Sequence, residues 1–202
     1  MDYFARIISY LFHPLLITTY GVVLLINIDS QLYLFIPFKL KIILCLLTLT
    51  FTFIFPVFNS WLLVKTKFIS SIHMHQKEER NISYMITLVF YIAVYYLLRE
   101  IQVFPVFKVL LLGASVSLAL AYIINFYWKI SAHMVGIGGL CGLLLALSER
   151  MDVTLVFPLV LFIAGVVGFS RLVLNAHTEA QVYVGFLLGF IATFSLFLIA
   201  YT

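Results

Sequence analysis

VTLVFPLVLFIAGVVGFSRLVLNAHTEAQVYVGFLLGFIATFSLFLIA, residues 153–200, is two long apolar runs separated by a short polar gap. Each run is close to the ~20 residues that carry an α-helix across a hydrocarbon core about 30 Å thick. The runs are continuous, without the alternation of apolar and polar residues that an outer-membrane barrel strand needs. The pair therefore reads as two membrane helices joined at an interface. What the gap holds, an arginine, a histidine and a glutamate, calls for a reason beyond solubility.

The same pattern extends through the chain. Of its 202 residues 64% are hydrophobic and 10% charged, where a soluble domain is about one quarter charged. Apolar segments fall roughly at 6–27, 40–65, 82–98, 107–127, 132–148, 153–170 and 181–201. The expected fold is an all-α, polytopic transmembrane helical bundle of about seven membrane helices, or six, in a single integral membrane domain over 1–202. Short connections favour antiparallel neighbours. The start, MDYFAR, runs into the first apolar segment with Asp2 diluting its positive charge, so it reads as a first membrane helix and not a removable signal peptide.

The formal charge of +4 is small and fits interfacial lysines and arginines, not a nucleic-acid partner. Cys45 and Cys141 lie inside apolar runs, where thiols behave as small hydrophobes. Trp61 and Trp128 sit near segment ends, as at a headgroup boundary. The pairs Gly138/Gly142 and Gly185/Gly189, each four apart, suit close helix packing.

Three polar clusters remain: HMHQKEERN at 73–81, KISAHM at 129–134 and SRLVLNAH at 170–177. Two crossings separate each from the next, so all three belong on one face, with the N-terminus. Singly, each has an ordinary reading as a solvated loop, a capped helix start or a snorkelling arginine. Together they hold what metal-free phosphate chemistry requires. Arginine offers planar donors to phosphate oxygens. A neutral imidazole attacks phosphorus and a protonated one supplies a leaving-group proton. A helix N-terminus, opened by Ser131 as N-cap, stabilises charge on the equatorial oxygens. The carboxylate cluster a cation site wants is missing.

In order and spacing these clusters resemble the type-2 phosphatidic acid phosphatase superfamily, which shares its site design with the vanadium haloperoxidases. The family's Pro-Ser-Gly-His is matched by Ile130-Ser131-Ala132-His133. Its Ser-Arg, five residues, His is matched by Ser170-Arg171 and His177. The resemblance spans Lys77 to Gln181, about half the chain. It implies His177 as nucleophile, forming a phosphohistidine, and His133 as general acid and then base. It implies Arg171, Arg80 and Lys77 as phosphate ligands, with Ser131 and the Ala132 backbone completing the cradle. It implies no metal and no cofactor.

Three departures stand out. In the first motif, Asn81 replaces the proline after Arg80. The lysine position seven before Arg80 is His73, with Lys77 the nearer cation. Ala132 replaces glycine. Gln181 replaces the aspartate that orients the nucleophile four residues on, so it supplies an acceptor without a charge.

The implied activity is hydrolysis of a membrane lipid phosphate or polyprenyl diphosphate, with the lipid and the bilayer as partners and no nucleic acid. The alternative is a weakened or inactive member that binds lipid phosphate headgroups. A transporter would want ionisable groups at mid-membrane; Asn59 and Asn125 are the main candidates, and both lie toward the motif face. Seven Lys and Arg flank the motif face against five opposite, favouring a cytoplasmic site. Setting aside Lys77, Arg80 and Arg171 as ligands leaves four against five. The resemblance implies a bacterial inner (cytoplasmic) membrane and a site on its outer face.

Overall fold

A computed structural model describes residues 1–28, 30–70, 77–101 and 103–201, without the side chains of 30–32, 77, 78 and 201. Among these residues every regular element is helical: α1 Asp2–Leu11, α2 Pro14–Ile28, α3 Ser30–Phe35, α4 Phe38–Leu49, α5 Phe55–Lys65, α6 Lys77–Glu100, α7 Pro105–Tyr127, α8 Ala132–Leu147, α9 Val156–Val173 and α10 Glu179–Tyr201. A π-helical turn, Thr50–Ile54, joins α4 to α5. Its wider turn comes just before Pro56, whose ring would otherwise meet the carbonyl four residues back.

Five helical stretches are long and apolar enough to cross a membrane, or six if α1 and α2 together make one broken span. The chain is an integral membrane helical bundle. Two of the expected seven segments differ in detail. The first breaks between α1 and α2 with a 57° bend. The cause is Pro14, which starts a helix well but pushes the preceding residue, His13, out of helical geometry. The fifth segment, α8, has only 16 residues, about 24 Å of helix against a ~30 Å core.

That short helix is the centre of the bundle. Twelve of its sixteen residues are buried, and α10, α9, α2 and α7 surround it. Its closest neighbour is α10, and the reason is the glycine pairs. A Cβ on Gly138 or Gly142 would overlap the carbonyl oxygens of Phe186 and Phe190, and one on Gly189 would overlap that of Val135. Backbone meets backbone, as small-residue pairs four apart allow.

The packing sets the ends in register. The start of α6, the end of α7, the start of α8, the end of α9 and the start of α10 all lie at one end of the bundle, with α1 laid against α9. The three polar clusters therefore share that end. His73 lies outside the described residues; Lys77 opens α6, but its side chain is outside them too.

Candidate active site

The stretch AHTEAQ, Ala176–Gln181, resolves into a specific local device at Thr178–Gln181. Thr178 precedes α10 and Gln181 is its third residue. The Thr178 N–H donates to Gln181 Oε1 (3.2 Å), and the Gln181 N–H donates to Thr178 Oγ1 (3.4 Å). This is a reciprocal capping box, for which Gln at the third position is well suited. The same Gln181 Oε1 lies 3.0 Å from His177 Nδ1.

The box fixes a protonation state. A backbone N–H can only donate, so the Gln181 atom facing Thr178 is the carbonyl oxygen. His177 Nδ1 must then carry the proton and donate it to that oxygen. The lone pair of the neutral ring is left on Nε2, the atom a nucleophile needs. Gln181 thus does for tautomer and orientation what a carboxylate does, without its charge. Burial holds the His177 pKa down at about 4; the Gln181 hydrogen bond raises it, and Lys129, Arg171 and Arg80 lower it further. At neutral pH the ring is uncharged.

Arg171 ends α9 and donates from Nη1 to Ser9 Oγ at 2.9 Å. Ser9, on α1, passes its own hydroxyl proton to the Ala5 carbonyl at 2.8 Å. The Ser9 carbonyl oxygen lies 3.1 Å from His133 Nε2. A carbonyl only accepts, so His133 donates from Nε2 and, when neutral, keeps its lone pair on Nδ1. One residue of the first helix therefore positions both the expected acid and one clamp.

Arg80, in the first turn of α6, donates to Asn125 Oδ1 near the end of α7. Asn125 Nδ2 donates in turn to Asn81 Oδ1 at 2.6 Å. Asn81, next to Arg80 in sequence, is thus the anchor of an Asn–Asn–Arg chain. Asn125 is part of the cluster and not a mid-membrane polar station.

Ser131 occupies the N-cap position of α8, but its hydroxyl makes no cap bond, unlike the expectation from sequence. It is fully buried and its Oγ has no partner. Arg80 Nε and Arg171 Nε are likewise buried without a partner. A buried polar atom left unpaired costs about 1–3 kcal/mol. Among the described residues five buried side-chain polar atoms lack a partner, and three of them, Ser131 Oγ, Arg80 Nε and Arg171 Nε, belong to the motif residues at this end of the bundle, where they remain open to a ligand. Ala132 begins α8 and lines the space below, whereas the Ser170 hydroxyl is satisfied by the Val166 carbonyl at 2.8 Å.

Two spaces meet this cluster. An outer recess of about 560 Å³ is lined by His177, Lys129, Thr178, Glu179 and Gln181. A deeper cavity of about 250 Å³ takes His13, Arg80 and Ala132 at one end and Tyr91, Leu110 and Thr193 further in. Eleven residues separate Arg80 from Tyr91, about 16 Å of helix and so about half the hydrocarbon thickness. His177 and His133 do not line the deeper cavity; Arg171, His13 and His177 lie within electrostatic reach of His133.

Sequence reasoning had not singled out Ser9, His13 or Lys129 as part of the site. Lys129 is the nearest described cation to the recess; burial first, then Arg80 and Arg171, depress its pKa. The available signal was crossing parity, which puts the N-terminal residues on the motif face. Among the described residues no three His, Cys, Asp or Glu side chains group as metal ligands. Compared with family models, curated proteins and solved structures, the chain matches none.

Proposed function

We propose that the chain is a metal-independent phosphatase acting on a lipid phosphate or lipid diphosphate through a phosphohistidine at His177. The observation that supports this most is the Thr178–Gln181–His177 arrangement. It presents a neutral Nε2 lone pair beside Arg171, Arg80 and Lys129. The nitrogen attacks phosphorus. The guanidiniums and the α8 N-terminus, with Ser131, carry the charge on the phosphoryl oxygens. Water then attacks phosphohistidine, with His133 Nδ1 as the acceptor of its proton.

The deeper cavity supports a lipid over a soluble phosphate, since it leads from Arg80 toward mid-bilayer among mostly apolar walls. The reading also takes the membrane to be a bacterial cytoplasmic one, with the site on its outer face, on the resemblance described above. The test is phosphate release by purified protein in detergent from short-chain phosphatidic acid and from polyprenyl diphosphate. Release should persist in EDTA. A strict need for added divalent metal would sink the mechanism.

The headgroup-binding alternative draws on one observation, the missing charge at Gln181. Gln181→Asp separates the two. A carboxylate favours the cationic phosphohistidine, and each pKa unit of such stabilisation is a factor of about ten. With the tautomer already set, the expected gain in turnover is about tenfold. A rise of several hundredfold from a near-zero baseline would mean that the natural protein binds and does not turn over.

A further inference from the structure

The break between α1 and α2 deprives several backbone groups of their helical partners. In an unbroken helix the Ser9 carbonyl would take the His13 N–H, the Tyr10 carbonyl the N–H of residue 14, and the Leu11 carbonyl the Leu15 N–H. Pro14 has no N–H, and its ring crowds the Tyr10 carbonyl. The His13 N–H therefore goes to the Tyr10 carbonyl (3.3 Å), in the tighter turn common at helix ends. The Leu15 N–H turns to His13 Nδ1 (3.4 Å), and the Leu11 carbonyl accepts from the Tyr20 hydroxyl (2.8 Å). One acceptor is left over, the Ser9 carbonyl. The group it meets is His133 Nε2, at 3.1 Å.

The break supplies the free carbonyl, and the seat of α1 supplies its place. Ala5 and Ser9, one turn apart, are the buried residues of α1, which lies against α9. Small side chains at that spacing let two backbones come close. Arg171, in the last turn of α9, reaches the Ser9 hydroxyl at 2.9 Å, while that hydroxyl gives its own proton to the Ala5 carbonyl at 2.8 Å. The side chain of Ser9 thus serves the arginine and its backbone serves the histidine.

We propose that Ser9 is a positioning residue for the phosphatase chemistry and that Pro14 makes it one, by freeing the carbonyl that holds His133 while the hydroxyl sets Arg171. The inference rests on the phosphatase reading. Its force lies in the second half of the reaction. Water oxygen bonds to phosphorus, the P–N electron pair returns to His177 Nε2, and one water proton passes to His133 Nδ1. The His133 ring then carries N–H on both nitrogens and a positive charge, until Nδ1 gives that proton to solvent. An acceptor on Nε2–H favours the charged ring and keeps Nδ1 turned to the water. A buried carboxylate plays this part behind the imidazole of a hydrolytic triad; here a carbonyl dipole plays it. The charged and titratable groups around His133 are Arg171, His13 and His177. Among the described residues no carboxylate bonds to His133, which leaves the Ser9 carbonyl to offset the charge.

Two variants of the full-length protein, in detergent with EDTA and with isotope-labelled histidine for nitrogen NMR, test this. Pro14→Ala restores the N–H that the Tyr10 carbonyl lacks, so the His13 N–H can return to Ser9 and displace His133. Ser9→Ala removes the hydroxyl and keeps the carbonyl. In the natural protein His133 should show a protected, slowly exchanging Nε2–H, assigned by its absence from His133→Gln. Pro14→Ala should lose that signal and lower kcat on short-chain phosphatidic acid at least about 10-fold, part of what a positioned base supplies. Its KM should change by less than about threefold, and it should melt no earlier, because proline is unfavourable inside a helix. Ser9→Ala should keep the His133 signal and raise KM at least about 10-fold, as Arg171 loses the partner that aims it.

A Pro14→Ala protein that keeps both the signal and kcat overturns the role given to the break. One that melts early or fails to fold does the same, since the break would then serve the fold alone. An unchanged KM in Ser9→Ala overturns the role given to the hydroxyl. If the natural protein turns over no lipid phosphate, yet Pro14→Ala abolishes the His133 signal, the phosphatase reading falls and the Pro14–Ser9–His133 link stands.

Discussion

If the proposed phosphatase reading holds, the His177→Ala protein should release phosphate from a lipid phosphate at least about 10³-fold more slowly than the natural protein. Among the described neighbours, His13 Nδ1 is turned toward the Leu15 N–H, and His133, held by Nε2 to the first helix, keeps its Nδ1 for the proton of the proposed attacking water. The loss is chemical and not structural. His177 is half-buried in the connection before α10, and its hydrogen bond is to Gln181, which keeps the Thr178 N–H as a partner. Melting in detergent should shift by no more than about 1 kcal/mol. Initial rates, with acid-labile labelling of the protein by radioactive substrate, check the expectation. Activity above a hundredth of normal, or label surviving the substitution, would remove His177 from the nucleophile's place. The acid limb of the natural protein follows from the same ring. Its pKa is lowered to about 4, so the charged form is disfavoured and the neutral nucleophile persists as pH falls through 6.5. The rate should decline only near pH 4. The charged and titratable groups facing His177 are Lys129, Arg171, Arg80, His133 and Glu179. A Lys129→Met variant should move the limb upward, because one of the lowering charges is gone.

Which parts of this were legible in the chain follows from the range of the interactions. Each of the seven apolar segments is mainly helical, the first as two helices, and five or six stretches are long enough to span, because length and hydropathy alone bring a helix into a bilayer. The break at His13-Pro14 was also written locally, but a proline that starts a helix looks the same whether or not another helix precedes it. In the third polar cluster the spacing of four joins His177 to Gln181 directly, while Arg171 lies in the last turn of α9 across the connection. Ser9 could not be read from the chain. Its bonds to Arg171 and His133 cross 162 and 124 residues, and nothing in a serine of an apolar helix announces them. The Ser131 cap failed for a different reason. N-cap preference is a local tendency worth about 1 kcal/mol, and at this serine the tertiary setting overrides it.

Gly189→Ala is the fold counterpart, and it ties packing to chemistry. The added Cβ would overlap the Val135 carbonyl oxygen and lie 2.8 Å from the Gly139 nitrogen. Both atoms are backbone inside α8, the most enclosed helix, so neither can turn aside as a side chain would. The helices must separate, and overpacking of this kind costs about 3 kcal/mol or more when backbone has to move. By contrast Gly165 on α9 has nothing within 4 Å of an added Cβ, and Gly165→Ala should match the natural protein or gain slightly from helix propensity. The consequence reaches the site because α8 carries Ser131, Ala132 and His133 at its start, while the α10 start holds Gln181 and through it His177. Parting the two helices by about 1 Å would misalign the proposed nucleophile and cradle, and displacement on that scale should lower turnover about 100-fold. Gly189→Ala should therefore melt earlier and, at temperatures where it is still folded, lose kcat far more than Gly165→Ala does. Equal melting and equal turnover of the two variants would show that the α8–α10 backbone contact neither holds the bundle together nor sets the site.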